Sequence, residues 1–196
     1  MLTPSRDRRA ATLPTDAGTD TPMTRSSSAP FDLGRFTGVC AATGRALEPG
    51  EPAVAVLIED AQTGALTRLD YAEDAWASAP RPERLFCFWR RVVPASKAKA
   101  SPAVDDEDLL GIFESLDGAE GDQQRAFRFI LALHLTRRRL FRHVGVEERS
   151  GQRVMLLRRR GADANEPPIA VPDPGLTAET IAAASESLDE ALRGEA

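Results

Sequence analysis

Lysine and histidine are nearly missing from this chain: Lys97, Lys99, His134 and His143 are the only ones among 196 residues. Arginine therefore carries almost all of the positive charge. Two histidines nine positions apart would point to opposite sides of a helix, which excludes the usual paired-histidine metal motif. Cysteine is as scarce. Cys40 and Cys87 cannot build a disulfide framework, and both are expected as thiols in a reducing compartment. The longest apolar run, Phe129 to Leu135, contains His134 and is far shorter than the ~20 residues of a bilayer span. Neither GxxxxGK(S/T) nor GxGxxG occurs, so phosphate cradles of those types are excluded. Nothing near Met1 resembles the apolar core of a secretory signal, and the protein is expected to be cytoplasmic, without membrane contact.

What the chain does have is an ordinary globular composition, 42% hydrophobic and 28% charged. Its charge map is lopsided. The net charge of −5 hides a balance of +9 over residues 125–160, where eleven arginines face Glu147 and Glu148. The other 160 residues carry −14. Directly upstream of the basic stretch, Asp105 to Asp122 holds eight carboxylates and no basic residue. Either the two runs neutralise each other, or the arginines await an anionic partner.

Residues 1–33 are poor in aliphatic side chains and are expected to be disordered, with Met23 as a second candidate start. A β-rich module is expected over 34–94. Pro52 to Glu59 has strand composition, Thr63-Gly64 is a turn, and Ala65 to Tyr71 alternates, giving a hairpin over 52–71. Ala72 to Trp76 opens a short helix that Pro80 and Pro82 stop. Arg84 to Val93 is a buried strand ended by Pro94. A linker over 95–103 follows.

The second module spans 104–161. Its first helix, Asp105 to Leu116, aligns Leu109, Ile112, Phe113 and Leu116 on one face. A second helix begins with Asp122 as cap and ends near Arg137. It is apolar around most of its circumference, and Arg125, Arg128, Thr136 and Arg139 make a polar stripe. A β-hairpin then turns at Ser150-Gly151. That turn sets Arg149 against Gln152, Glu148 against Arg153, Val146 against Met155 and Val144 against Leu157. Residues 162–175 form a Pro-rich connector. The terminal amphipathic helix, 176–193, has Thr177 as cap and Thr180, Ala184, Leu188 and Leu192 on one face. The fold class is α+β: a small β-hairpin-rich module, then an αα-hairpin plus β-hairpin, then a C-terminal helix.

Few groups carry obvious chemistry. His134 lies among Phe127, Ile130 and Phe141 and is expected as a core histidine bonded to a backbone carbonyl. Cys87 sits in an apolar strand, where a thiol is inert packing. Asp105 to Asp108 stand at a helix start and suit its dipole better than they suit Mg²⁺. No catalytic residue is assigned, and no cofactor is expected.

One arrangement does stand out. Cys40-x-x-Thr43 lies in a tight turn, the hairpin 52–71 follows, and Ala72-x-x-Ala75 opens a helix. This order resembles a treble-clef zinc finger, in which a knuckle gives two ligands and the first turn of the helix after the hairpin gives two more. The resemblance covers Thr37 to Ser78 and implies that Cys40, Thr43, Ala72 and Ala75 occupy the ligand positions. Three of these cannot bind Zn²⁺, Asp70 and Asp74 are the nearest substitutes, and a structural site needs four good donors. No metal is therefore expected. Cys40, Leu69, Ala72, Ala75 and Trp76 would pack where the ion sits in the family. The chain also resembles bacterial proteins that place a knuckle and hairpin ahead of a helical segment, which implies no activity.

Arg125, Arg128, Arg139, Arg142, Arg153 and Arg158 are the candidate anion-binding residues, because a guanidinium fork donates two bonds to a phosphate. A pI near 5.2 argues against a dedicated nucleic-acid domain. The expected function is that of a non-enzymatic intracellular interaction protein. A protein partner would be held by the arginine stretch, the terminal helix, or both. RNA or ribosome association through 125–160 is the alternative. An enzyme using Asp or Glu in a cleft between the modules is the third.

Overall fold

A computed structural model of the chain describes residues 31, 33–94 and 104–193. Expectations for the rest of 1–33, for a start at Met23 and for the linker 95–103 lie outside those residues. The architecture is α+β, with two three-stranded antiparallel sheets.

The first sheet has the order β2-β1-β3, from β1 (Pro52–Glu59), β2 (Leu66–Ala72) and β3 (Leu85–Val92). β1 takes the centre because Ala53 to Leu57 are all buried, as a strand covered on both faces requires. α1 (Glu73–Ser78) follows β2 directly and ends before Pro80. α2 (Asp106–Ser115) and α3 (Asp122–Arg137) form the expected helical hairpin. The second sheet has the order β4-β5-β6, from β4 (Phe141–Arg149), β5 (Gln152–Arg159) and β6 (Ile169–Pro172), and α4 (Ala178–Arg193) follows it.

Local chemistry accounts for the helix ends. The Asp105 carboxylate accepts from the N–H groups of Glu107 and Asp108, while Asp108 accepts from the Asp105 N–H, a reciprocal capping box. α3 starts differently from expectation. Gly121 is its cap, and Asp122 is the first helical residue, pairing with Arg125 instead. On α4 the Thr177 hydroxyl accepts from the Thr180 N–H at 3.2 Å. Thr180 itself is exposed, and the buried face is Ala184, Ser185, Leu188 and Leu192.

Four further expectations need correction. Phe31 and Leu33, read as part of a disordered segment, are buried, and Phe31 stacks on Phe127 at 4.5 Å. The Pro-rich connector contributes a strand, because Ile169–Pro172 pairs with Val154–Leu157. Pro172 is tolerated there because an edge strand can spare an N–H. In the β4–β5 hairpin the register holds from Arg149–Gln152 to Val146–Met155, but Gly145 faces Leu156 and His143 faces Leu157. Val144 is the extra residue of a β-bulge, not the partner of Leu157. Arg128, placed on a polar stripe, is buried.

One apolar core runs through both expected modules. Leu57 and Trp89 of the first sheet share it with Ile112 of α2, Phe127 and Ile130 of α3, Leu157 of β5 and Leu188 of α4. Each such residue contributes roughly 1.5–3 kcal/mol by leaving water. α2 lies so close to β3 that a Cβ on Gly111 would stand 3.1 Å from Cβ of Trp89. On the other face of the first sheet a smaller cluster gathers Cys40, Leu47, Val54, Val56, Tyr71, Ala72 and Trp76. No described helix is long and apolar enough to cross a membrane.

Candidate functional site

Residues 39–46 fold into a knuckle. The Cys40 N–H donates to Arg45 O and the Gly44 N–H to Cys40 O, both at 2.8 Å, and Gly44 takes a φ of 72° that favours glycine. A bridge from Cys40 to Asp70 holds the knuckle beside β2, and Ala72, the cap of α1, donates its N–H to Cys40 Sγ at 3.4 Å. Cys40 is fully buried just beneath the surface. Burial raises its pKa, but bonds from the Thr43 hydroxyl and from the N–H groups of Ala72, Thr43 and Ala42 outweigh that effect and hold the thiol below its ordinary value. Leu69 and Ala75 pack against the same cluster. Among the described residues no group of three or more His, Cys, Asp or Glu side chains is placed to hold a metal. Asp70 and Asp74, the nearest substitutes, are engaged elsewhere: Asp70 with Thr37 and Arg68, Asp74 with the Ala75 N–H.

Behind β2 lies a buried charge network that sequence reasoning missed. Arg68 Nε and Nη2 donate to Asp70 Oδ1 at 3.1 and 3.0 Å, and their side chains are 1% and 0% exposed. Asp70 Oδ2 accepts from the Thr37 N–H and hydroxyl at 2.7 and 2.9 Å. Arg91 Nη1 lies 3.6 Å from Asp108 Oδ2 on α2. Burial lowers the Arg68 pKa and raises that of Asp108, with the opposite charges countering in part. The available signal was the spacing of two in LTRLD, which puts Arg68 and Asp70 on one face of a strand.

The end of α3 and the first two strands of the second sheet frame a different site. Arg138 caps α3, Arg139 turns the chain at φ 62°, and the Leu140 N–H returns to Leu135 O at 2.9 Å. That turn brings Arg139 beside the start of β4 and the end of β5. A cavity of about 500 Å³ opens there, with Arg139, Arg142, His143, Arg158, Arg159 and Arg160 in its lining and Phe141 among them. No carboxylate lines it. Arg142 and Arg158 stand directly opposite each other across the β4–β5 pair, an arrangement that destabilises a sheet. Arg158 Nη2 donates to Glu166 O at 3.1 Å, while its Nε is buried without a partner. Arg159 reaches Glu114 at 3.4 Å. Among the described residues, no carboxylate pairs with Arg139, Arg142, Arg158 or Arg160.

The six candidate arginines therefore separate. Arg139, Arg142 and Arg158 converge on this cavity, joined by Arg159 and Arg160 of the same basic stretch and by His143, which was not expected there. Arg125 pairs with Asp122. Arg128 pairs with Asp117 at 2.7 Å, lies over the Phe113 ring at 4.7 Å and reaches Ala170 O at 3.4 Å. Arg153 faces Glu148 near the far end of the hairpin. Asp106 of α2 takes Arg138 at 2.6 Å. Of the arginines of 125–160, the acidic run thus neutralises Arg125, Arg128, Arg138 and Arg159 and leaves the cavity's other arginines without an ion pair among the described residues.

Other groups are already occupied. In a hollow of about 420 Å³ at the start of α2, Asp105 caps the helix and Asp106 holds Arg138, with Glu107 sharing the lining. His134 does not bond a backbone carbonyl. Its Nδ1 lies 3.3 Å from Asp189 Oδ1 on α4, its Nε2 is buried without a partner, and burial lowers its pKa against the pull of Asp189. The apolar side of α4, an expected partner surface, packs into the core. Comparison of the chain with protein-family models, curated proteins and solved structures gives no match.

Proposed function

We propose that this protein is a non-enzymatic, intracellular interaction protein that takes an anionic partner at the arginine cavity. The observation that carries this reading is a concave site holding four arginines without carboxylates, two of them forced together across one strand pair. A sheet assembled for stability alone gains by separating or pairing such charges. A guanidinium fork matches phosphate or carboxylate oxygens two at a time.

The test is thermal unfolding in sodium pyrophosphate against sodium chloride of equal ionic strength. A ligand that binds only the folded state raises the midpoint by mass action. The expected rise disappears in Arg142→Ala/Arg158→Ala. Identical midpoints in both salts would sink the proposal.

The first module is read as a treble-clef-like scaffold in which apolar packing replaces the ion. The meeting of Cys40, Thr43 and Ala72, with Ala75 packed beside them, supports this reading. Thr43→Cys/Ala72→Cys/Ala75→Cys should then restore four thiolates and bind one Zn²⁺ per chain. A folded variant that binds none counts against the resemblance.

A further inference from the structure

We infer that the arginine cavity recognises a terminal phosphate, a phosphomonoester carried on a small organic body, and not the diester chain of a nucleic acid; this rests on the anion-binding reading above. The first reason is the layout of charge. A diester chain spreads its charge along its length and needs a succession of cations. Here four guanidinium groups without carboxylate partners collect in one hollow. Along β4 away from it come Val144, Gly145, Val146, Glu147 and Glu148, and the next arginine, Arg149, is held by Glu147 at 2.9 Å. In the other direction Arg128 and Arg125 are paired with Asp117 and Asp122. Of the arginines of 125–160 outside the hollow only Arg137 and Arg153 lack an ion pair among the described residues, too few for a continuous track.

The second reason is stoichiometry of charge and acceptors. A phosphomonoester carries about −1.5 to −2 near neutral pH and offers three terminal oxygens. A diester offers one charge and two such oxygens. Four arginines without carboxylate partners match the former. The third reason is size. A volume of about 500 Å³ lies in the range of small-molecule sites, roughly 300–1,000 Å³. Phe141, the one Phe, Tyr or Trp in the lining, is 4% exposed and offers no open face for a base to stack on. Because the site sits at the C-terminal end of α3, the helix dipole does not help an anion, and the guanidinium groups must supply the attraction.

The experiment is calorimetric titration of the full chain with four probes: AMP, adenosine, inorganic phosphate, and an RNA decamer with a 5′-hydroxyl. The expected result is that AMP and inorganic phosphate bind and compete, adenosine does not bind, and the decamer is about tenfold weaker than AMP or worse. Arg142→Lys/Arg158→Lys keeps the charge but loses the fork, and should cost AMP about tenfold while circular dichroism stays native. A decamer that binds more tightly than AMP overturns the terminal-phosphate inference and leaves the anionic reading standing. A phosphoserine peptide that outcompetes AMP overturns the small-molecule body. If none of these probes binds and pyrophosphate also fails to stabilise the fold, both readings fall together.

Discussion

The two sheets use arginine in opposite ways. In the first, each buried guanidinium lies against a carboxylate, Arg68 with Asp70 and Arg91 with Asp108, inside a layer closed by α2. At the end of the second, Arg142 and Arg158 face each other, and among the described residues neither forms an ion pair with a carboxylate. The same residue type is thus an internal strut in one place and an open charge in the other. Composition alone cannot separate the two. A buried pair is set by the fold and is costly to break, whereas an open cluster costs little to remove and matters only when something binds. Mutation can therefore measure the contrast directly.

The largest effect is expected from Asp70→Ala, which leaves Arg68 buried without its main partner and should cost about 3–5 kcal/mol in urea unfolding. A loss below ~1 kcal/mol would mean that the network is hydrated and would dissolve the contrast. Next comes Ile130→Ala, which opens a cavity in the shared core and should cost about 2–5 kcal/mol. Trp76 and Trp89 report on the first sheet, so their fluorescence midpoint should fall together with that of circular dichroism. Two separate midpoints would show two independent modules. Arg142→Gln/Arg158→Gln should change stability by no more than about 0.2–1 kcal/mol, and upward, because a like-charge cross-strand pair is relieved. A large loss would make these arginines struts as well.

The smallest effect concerns pH. Burial holds His134 below its ordinary value, against the pull of Asp189. The unfolded chain therefore binds this proton more readily than the native one. Stability should fall as pH drops from about 6.5 toward the native value and level off below it. His134→Gln should remove that slope in urea midpoints, and an unchanged slope would assign it to other groups.

Much of the fold was legible because independent signals agreed. Ser150-Gly151, the Glu148–Arg153 pair and the Val146–Met155 pair all specify one register, and the structure has it. The bulge at Val144 left no such trace, since pairing Val144 with Leu157 satisfies the same apolar rule. β6 was hidden by its surroundings. Ile169–Pro172 is short and flanked by prolines, so only its pairing with β5 identifies it. Phe31 was lost in a polar context, although one aromatic stacked on Phe127 suffices to fix that point of the chain. The arginine cavity was half legible. Residue type singled out Arg139, Arg142 and Arg158, but only register and the turn at Arg139 reveal that these converge while Arg125, Arg128 and Arg153 do not.

The bulge in β4 has a bearing on the protein's life in a crowded solution. β4 is an edge strand nine residues long, with Val144 and Val146 39% and 51% exposed, the kind of rim onto which another chain can zip and seed fibrils. One surplus residue breaks the regular rhythm of donors and acceptors along that rim and bends it away from a straight neighbour. Deleting Val144 would restore the rhythm while leaving β5 and the core beneath untouched. Such a deletion should make the chain more prone to strand addition, read as increased light scattering on storage.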